Sequence, residues 1–301
     1  MNNSLLARAR PLAILAISTL ASTACQKPTD KTVTNDPTTT PAAAVVPRTN
    51  INGPAGIVHI DDGGTGGIPV VFIHSFGGDV SHWQAQLAHL RTTRRAIALE
   101  LRAHGQSASP ANGDYSVKAF SQDIAAVVDS LALPKFVLIG HSLGGAAALI
   151  YAGDHPDRVA GLIVVGTPGA TPTKVSEPII AALESDQYQK TMDDYMKQLL
   201  ANAKPEVASK VDAQFHKLSR EQSTIIVKET FAYDPKPALA AYHGPMLSVT
   251  TATEKDTPMS LHNLKADMQH QTIAGTSHWM HLDKPDEFNA LMDTFLQGIR
   301  P

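Results

Sequence analysis

Gly140-His141-Ser142-Leu143-Gly144 follows the apolar, β-branched run Phe136-Val137-Leu138-Ile139 and precedes Ala146-Ala147-Ala148-Leu149-Ile150-Tyr151, a strong helix former. The run before it reads as a buried parallel strand. A G-x-S-x-G pattern between such a strand and such a helix makes a sharp turn that lifts the serine hydroxyl clear of the sheet. The next backbone N–H, that of Leu143, then sits at a helix N-terminus, where an oxyanion is stabilised. Ser142 is therefore the candidate nucleophile. The plainer alternative is a serine that only caps the helix.

Outward from this turn the chain alternates strand-like and helix-like segments. Gly56-Ile57-Val58-His59-Ile60 and Pro69-Val70-Val71-Phe72-Ile73 read as strands, as do Ala96-Ile97-Ala98-Leu99 and Leu162-Ile163-Val164-Val165. Residues 246–249 and 271–273 continue the pattern, with helical spacing at about 80–91, 116–132, 145–154 and 286–298. Nearly continuous apolar strands alternating with helices predict an α/β fold, a mostly parallel sheet with helices on both faces. Residues 170–237 break the alternation. They show no strand, only amphipathic helices, and read as a helical cap inserted between the core segments 51–169 and 238–301. Met192, Tyr195 and Met196 of that block are candidates to line an adaptable apolar pocket.

A serine nucleophile needs a base, and the base needs an orienting acid. Of thirteen histidines, His278 follows the last strand through Ala274-Gly275-Thr276-Ser277, which places it at the edge where the serine emerges. His281, three residues on, reads as a rim residue, and His89 and His155 read as solvent-facing. The acid is expected just after the preceding strand. Asp256 is the candidate there, with Glu254 as the alternative and a helix cap as the plainer role for either. The Gly-rich turn His74-Ser75-Phe76-Gly77-Gly78 supplies a second oxyanion donor, the N–H of Phe76, beside that of Leu143.

These segments, together with Leu101-Arg102-Ala103-His104-Gly105-Gln106-Ser107 and Gly275-Thr276-Ser277-His278-Trp279 before Leu282-Asp283-Lys284-Pro285, resemble the α/β-hydrolase superfamily, in its esterase, lactonase and haloperoxidase-like branch. The resemblance covers the chain from about residue 56 onward. Ser75, Ala103 and Thr253 stand where the family usually has glycine. It implies acyl transfer by Ser142 and His278 without a metal or organic cofactor, because family members with aspartate at the elbow are the dehalogenases and epoxide hydrolases. The expected activity is carboxylic-ester hydrolysis through an acyl-enzyme. Lactonase, thioesterase or haloperoxidase-type chemistry on the same triad is the alternative, and a non-catalytic binding protein is the rival of a different class.

Composition agrees with a globular domain: 43 % apolar and 18 % charged residues over 301 positions, with a net charge of −3. That balance argues against nucleic acid as a partner and leaves a small-molecule ester as the expected one. Arg91, Arg94 and Arg95 read as a solvated helix end. At the N-terminus, Arg8 and Arg10 precede an apolar stretch and then Ala21-Ser22-Thr23-Ala24-Cys25. The pattern resembles a bacterial lipobox, which implies a signal peptide over residues 1–24 and acylation of Cys25, the only cysteine. Residues 25–50, rich in Thr, Pro and Ala, are expected to be a flexible tether. The location implied is the cell envelope, held to the membrane by lipid; cleavage without acylation would give a secreted or soluble periplasmic protein.

Overall fold

A computed structural model describes residues 49–300 apart from 253 and 255. Cys25, the signal segment and nearly all of the tether lie outside the described residues. Among the described residues, eight strands form one sheet in the order β1-β2-β4-β3-β5-β6-β7-β8. They are β1 (Asn50–Gly53), β2 (Gly56–Gly63), β3 (Val70–Ile73), β4 (Ala96–Leu99), β5 (Phe136–His141), β6 (Val159–Val165), β7 (Met246–Thr251) and β8 (Gln269–Ile273). β1 and β2 form an antiparallel hairpin that joins β4 antiparallel, and every pairing from β4 to β8 is parallel.

The apolar strands divide their side chains between two cores with the period of two that a pleat imposes. Val71, Ile73, Leu138, Leu162 and Val164 face one layer; Val70, Phe72, Val137, Ile139 and Ile163 face the other. The first layer is closed by α2 (Val117–Ser130), α3 (Leu143–Asp154) and α8 (Lys236–Ala241). α1 (Gln84–Leu90) and α11 (Pro285–Gln297) close the second. Ala146, Ala147 and Ala148 are fully buried, so α3 lies close against the sheet.

Residues 170–237 hold α4 (Thr173–Leu183), α5 (Tyr188–Leu199), α6 (Pro205–Phe215) and α7 (Arg220–Ala232). Two short helices, α9 (Leu261–Leu264) and α10 (Met280–Asp283), flank β8. The inserted helices share an apolar cluster of Leu183, Met192, Met196, Val207, Val211 and Phe215, into which the core residue Trp279 also packs. Among the described residues no helix is long and apolar enough to cross a membrane.

Two expectations fail in this region of the core. The first strand is expected from Gly56 and the tether through residue 50, yet β1 begins at Asn50, Ile51 is buried and Ile60 N–H donates to Thr49 O. Arg91 and Arg95 are not a free helix end: Arg91 pairs with Asp61 at 2.7 Å and Arg95 with Asp62 at 2.6 Å, tying the helix end to β2.

Candidate active site

Ser142 stands between β5 and α3 with φ 52 and ψ −115, a left-handed conformation that costs about 1–3 kcal/mol in a residue with a Cβ. The turn is held by Ser142 N–H donating to Val165 O at 2.8 Å. It also needs its flanking glycines. A Cβ on Gly140 would overlap the Gly144 carbonyl, and one on Gly144 would overlap the His74 carbonyl. Leu143 N–H is the first of α3 and has no helical carbonyl four residues back to receive it.

The loop after β3, where a second oxyanion donor is expected, is fixed by His74. Its Nε2 accepts from Leu101 N–H at 3.0 Å, so its Nδ1 carries the proton and donates to Ser75 O at 2.7 Å. The same segment carries Ala103, held at φ 63 where glycine is usual in the family, and Arg102, which makes a bidentate buried pair with Asp123 on α2. Phe76, Ser142 and His278 line one cavity, which places the Phe76 loop beside the serine.

His278 is held from three sides. Its N–H donates to Leu199 O at the end of α5, and its carbonyl accepts from His141 Nε2 at 3.0 Å. Its ring Nδ1 lies 3.1 Å from Glu254 Oε1. A carboxylate there keeps the proton on Nδ1 and leaves Nε2, buried and without a partner among the described residues, free to take a proton. Asp283 braces the turn before it, accepting from Ser277 N–H at 2.8 Å, Ser277 O–H at 2.5 Å and the Lys204 N–H of the inserted helices at 2.9 Å.

The structure pairs His278 with Glu254, not with Asp256. Asp256 Oδ1 accepts from Asn263 at 2.5 Å and His262 at 3.0 Å, with its side chain 69 % exposed, and so serves to hold the α9 turn. β7 runs to Thr251, two residues beyond the apolar run visible in sequence. Glu254 follows the strand end by three residues, and its side chain reaches the imidazole.

His281 is likewise not a rim residue. It is fully buried, its ring stacked on Trp83 at 4.2 Å, because α10 turns it inward. Met192 packs within the inserted helices rather than along a pocket, whereas Tyr195 lines the space above Ser142.

The site rests on buried imidazoles. Burial holds His74 and His82 down at about 4 and His104 at about 3, and pushes His141 and His281 well below the ordinary 6.5. All five are neutral in the fold at pH 7. As pH falls below 6.5 the unfolded chain takes up protons that the fold refuses until far lower, so stability declines through that window. The loss is up to about 1.4 kcal/mol per pH unit for each such histidine. The melting temperature is expected to drop steeply between pH 6.5 and about 4; a flat profile there would contradict burial of neutral imidazoles.

A family model described as alpha/beta hydrolase fold matches residues 68–242. The dihydrolipoyllysine-residue acetyltransferase component of the acetoin cleaving system of Pseudomonas putida is 43 % identical over 108 residues, 36 % of this chain and only 29 % of that relative's length. The sn-1-specific diacylglycerol lipase ABHD11 of Mus musculus is 29 % identical over 255 residues, 75 % of this chain and 80 % of the lipase. The solved structure of the enol-lactonase from Burkholderia xenovorans LB400 is alike in fold, with a TM-score of 0.72 at 20 % identity over 82 % of this chain and 99 % of that one.

Proposed function

The chain belongs to the alpha/beta hydrolase fold family, and from that premise we propose that it is a serine hydrolase cleaving carboxylic esters, with Ser142 as nucleophile, His278 as base and Glu254 as acid. One observation carries the reading: a strained serine shares a cavity with an imidazole whose Nδ1 meets a carboxylate and whose Nε2 is otherwise unpartnered among the described residues. Lipase, esterase and lactonase names among the similar proteins accord with it.

In this mechanism Ser142 Oγ attacks the ester carbonyl as Nε2 of His278 takes its proton. The oxyanion is met by the N–H groups of Leu143 and Phe76. The imidazolium, stabilised by Glu254, gives its proton to the departing alcohol. Water, deprotonated by the same nitrogen, then releases the acid and restores Ser142. A fluorophosphonate probe is expected to label Ser142 alone, located by peptide mass spectrometry; no labelling would leave a non-catalytic binding role on the same scaffold.

The N-terminal segment adds a location to the proposal: acylation at Cys25 tethers the domain to the cell envelope, supported by the lipobox-like sequence. A diacyl modification anchors stably where a single chain does not. Cys25→Ser is expected to move the protein from the membrane to the soluble fraction, and an unchanged distribution would end the anchor reading.

A further inference from the structure

Asp283 ends α10 with 1 % of its surface exposed, and among the described residues it makes no ion pair. A carboxyl group buried in this way is held by hydrogen-bond donors, and the identity of its donors gives it a role. Oδ2 accepts from the N–H and the O–H of Ser277, the residue before His278, at 2.8 and 2.5 Å. Oδ1 accepts from Lys204 N–H at 2.9 Å, and Lys204 is the N-cap of α6. One side chain thus joins the turn that carries the base to an element 79 residues away in sequence.

The same two segments meet a second time. His278 N–H donates to Leu199 O, the end of α5, at 2.9 Å. Ser277 Oγ, oriented by its donation to Asp283, accepts from Trp279 N–H at 3.1 Å, and the Trp279 side chain packs into the apolar cluster of the inserted helices. Ser277, His278 and Trp279 are therefore each tied to Asp283 or to the inserted helices, on both sides of the imidazole. The core supplies the remaining holds, Glu254 on the ring and His141 on the His278 carbonyl. Those holds serve catalysis only while the main chain beneath the ring stays in place. At 3.1 Å the bond to Glu254 is already near the long end of its range, and a shift of about 1 Å parts the pair.

Resting on the serine-hydrolase reading, we propose that Asp283 is a positioning residue for the base, coupling the junction between α5 and α6 to the placement of His278 against Ser142 and Glu254. It touches neither substrate nor reacting atoms. Through it the inserted helices take part in catalysis instead of only covering the site.

Two substitutions cut the bridge from opposite ends. Asp283→Asn keeps the size but replaces one acceptor oxygen with an N–H donor, so either Lys204 N–H or Ser277 N–H loses its partner. Lys204→Pro removes the donated N–H, and the φ of −62 at this position is one that proline adopts. Lys204→Ala keeps the N–H and isolates the effect of the side chain. Rates on p-nitrophenyl acetate are taken well below the melting transition and per Ser142 labelled to completion by the fluorophosphonate. Asp283→Asn and Lys204→Pro are each expected to lower kcat about 10- to 100-fold, with KM within about threefold of the parent. Lys204→Ala is expected within about twofold of the parent. In a His278→Ala background, Asp283→Asn should change the residual rate by less than about twofold, because no imidazole is left to position. A role in fold stability alone would leave parent kcat in the folded, labelled fraction, or give the same loss with and without His278; either result overturns the inference. Should Asp283→Asn fail to fold, Lys204→Pro, which leaves the carboxyl group in place, decides. If the parent cleaves p-nitrophenyl acetate and is labelled at Ser142, only the role of Asp283 is at stake; if it does neither, the hydrolase reading falls first.

Discussion

Ser142→Ala is expected to lower kcat/KM on p-nitrophenyl acetate by about 10⁴- to 10⁶-fold and to abolish fluorophosphonate labelling, since removal of a triad nucleophile alone costs nearly the whole of triad catalysis. The fold is expected to survive intact. The strain at φ 52 comes from the Cβ, which alanine keeps, so the substitution neither adds nor relieves it. The bond that holds the turn, Ser142 N–H to Val165 O, is made by the main chain and is unaffected. A melting temperature within a few degrees of the parent, together with the lost turnover, separates a missing nucleophile from a damaged elbow. Activity retained above about a tenth of the parent would mean that another group attacks the ester, because no triad enzyme keeps so much without its nucleophile.

Where the sequence was legible, local chemistry and global placement agreed. Phe136 to Ile139 and Leu162 to Val165 are buried on both faces, so their apolar runs announced strands without help from distant residues. The elbow was legible for the same reason: its glycines and its serine serve a turn of a few residues. β1 was not, because Asn50-Ile51-Asn52-Gly53 buries a single side chain fully and is a strand only through its hairpin with β2. The burial of His281 is not legible locally because the ring it stacks on, Trp83 of the second core, lies far away in sequence. Which of Glu254 and Asp256 meets His278 is not legible locally, because both follow β7 within five residues of its end and the choice depends on a contact with a ring 24 residues further on. Each of these misses needed a tertiary contact that no window of neighbouring residues contains.

The pairing of Glu254, not Asp256, with His278 makes the second large effect specific. Glu254→Gln is expected to lower kcat by about 10³- to 10⁴-fold, whereas Asp256→Asn should cost no more than about threefold on p-nitrophenyl acetate. At the 3.1 Å between Glu254 and the His278 ring, a carboxylate and an imidazolium attract by about 5 kcal/mol at an effective dielectric near 20. A 10⁴-fold loss corresponds to about 5.5 kcal/mol, so the loss of that one charge accounts for most of the effect. Glutamine is nearly isosteric and disturbs the loop little, but its neutral amide cannot stabilise the imidazolium. It can also offer an N–H to Nδ1, which favours the tautomer that puts the proton on Nε2, where it cannot serve as base. Asp256 contributes neither service. It is exposed, and its carboxylate is engaged with His262 and Asn263 in holding the turn before α9. The ranking of the two variants in kcat therefore decides the acid. Should Asp256→Asn prove the more damaging, the loop must rearrange when substrate binds, and the pairing of Glu254 with His278 would not be the catalytic one.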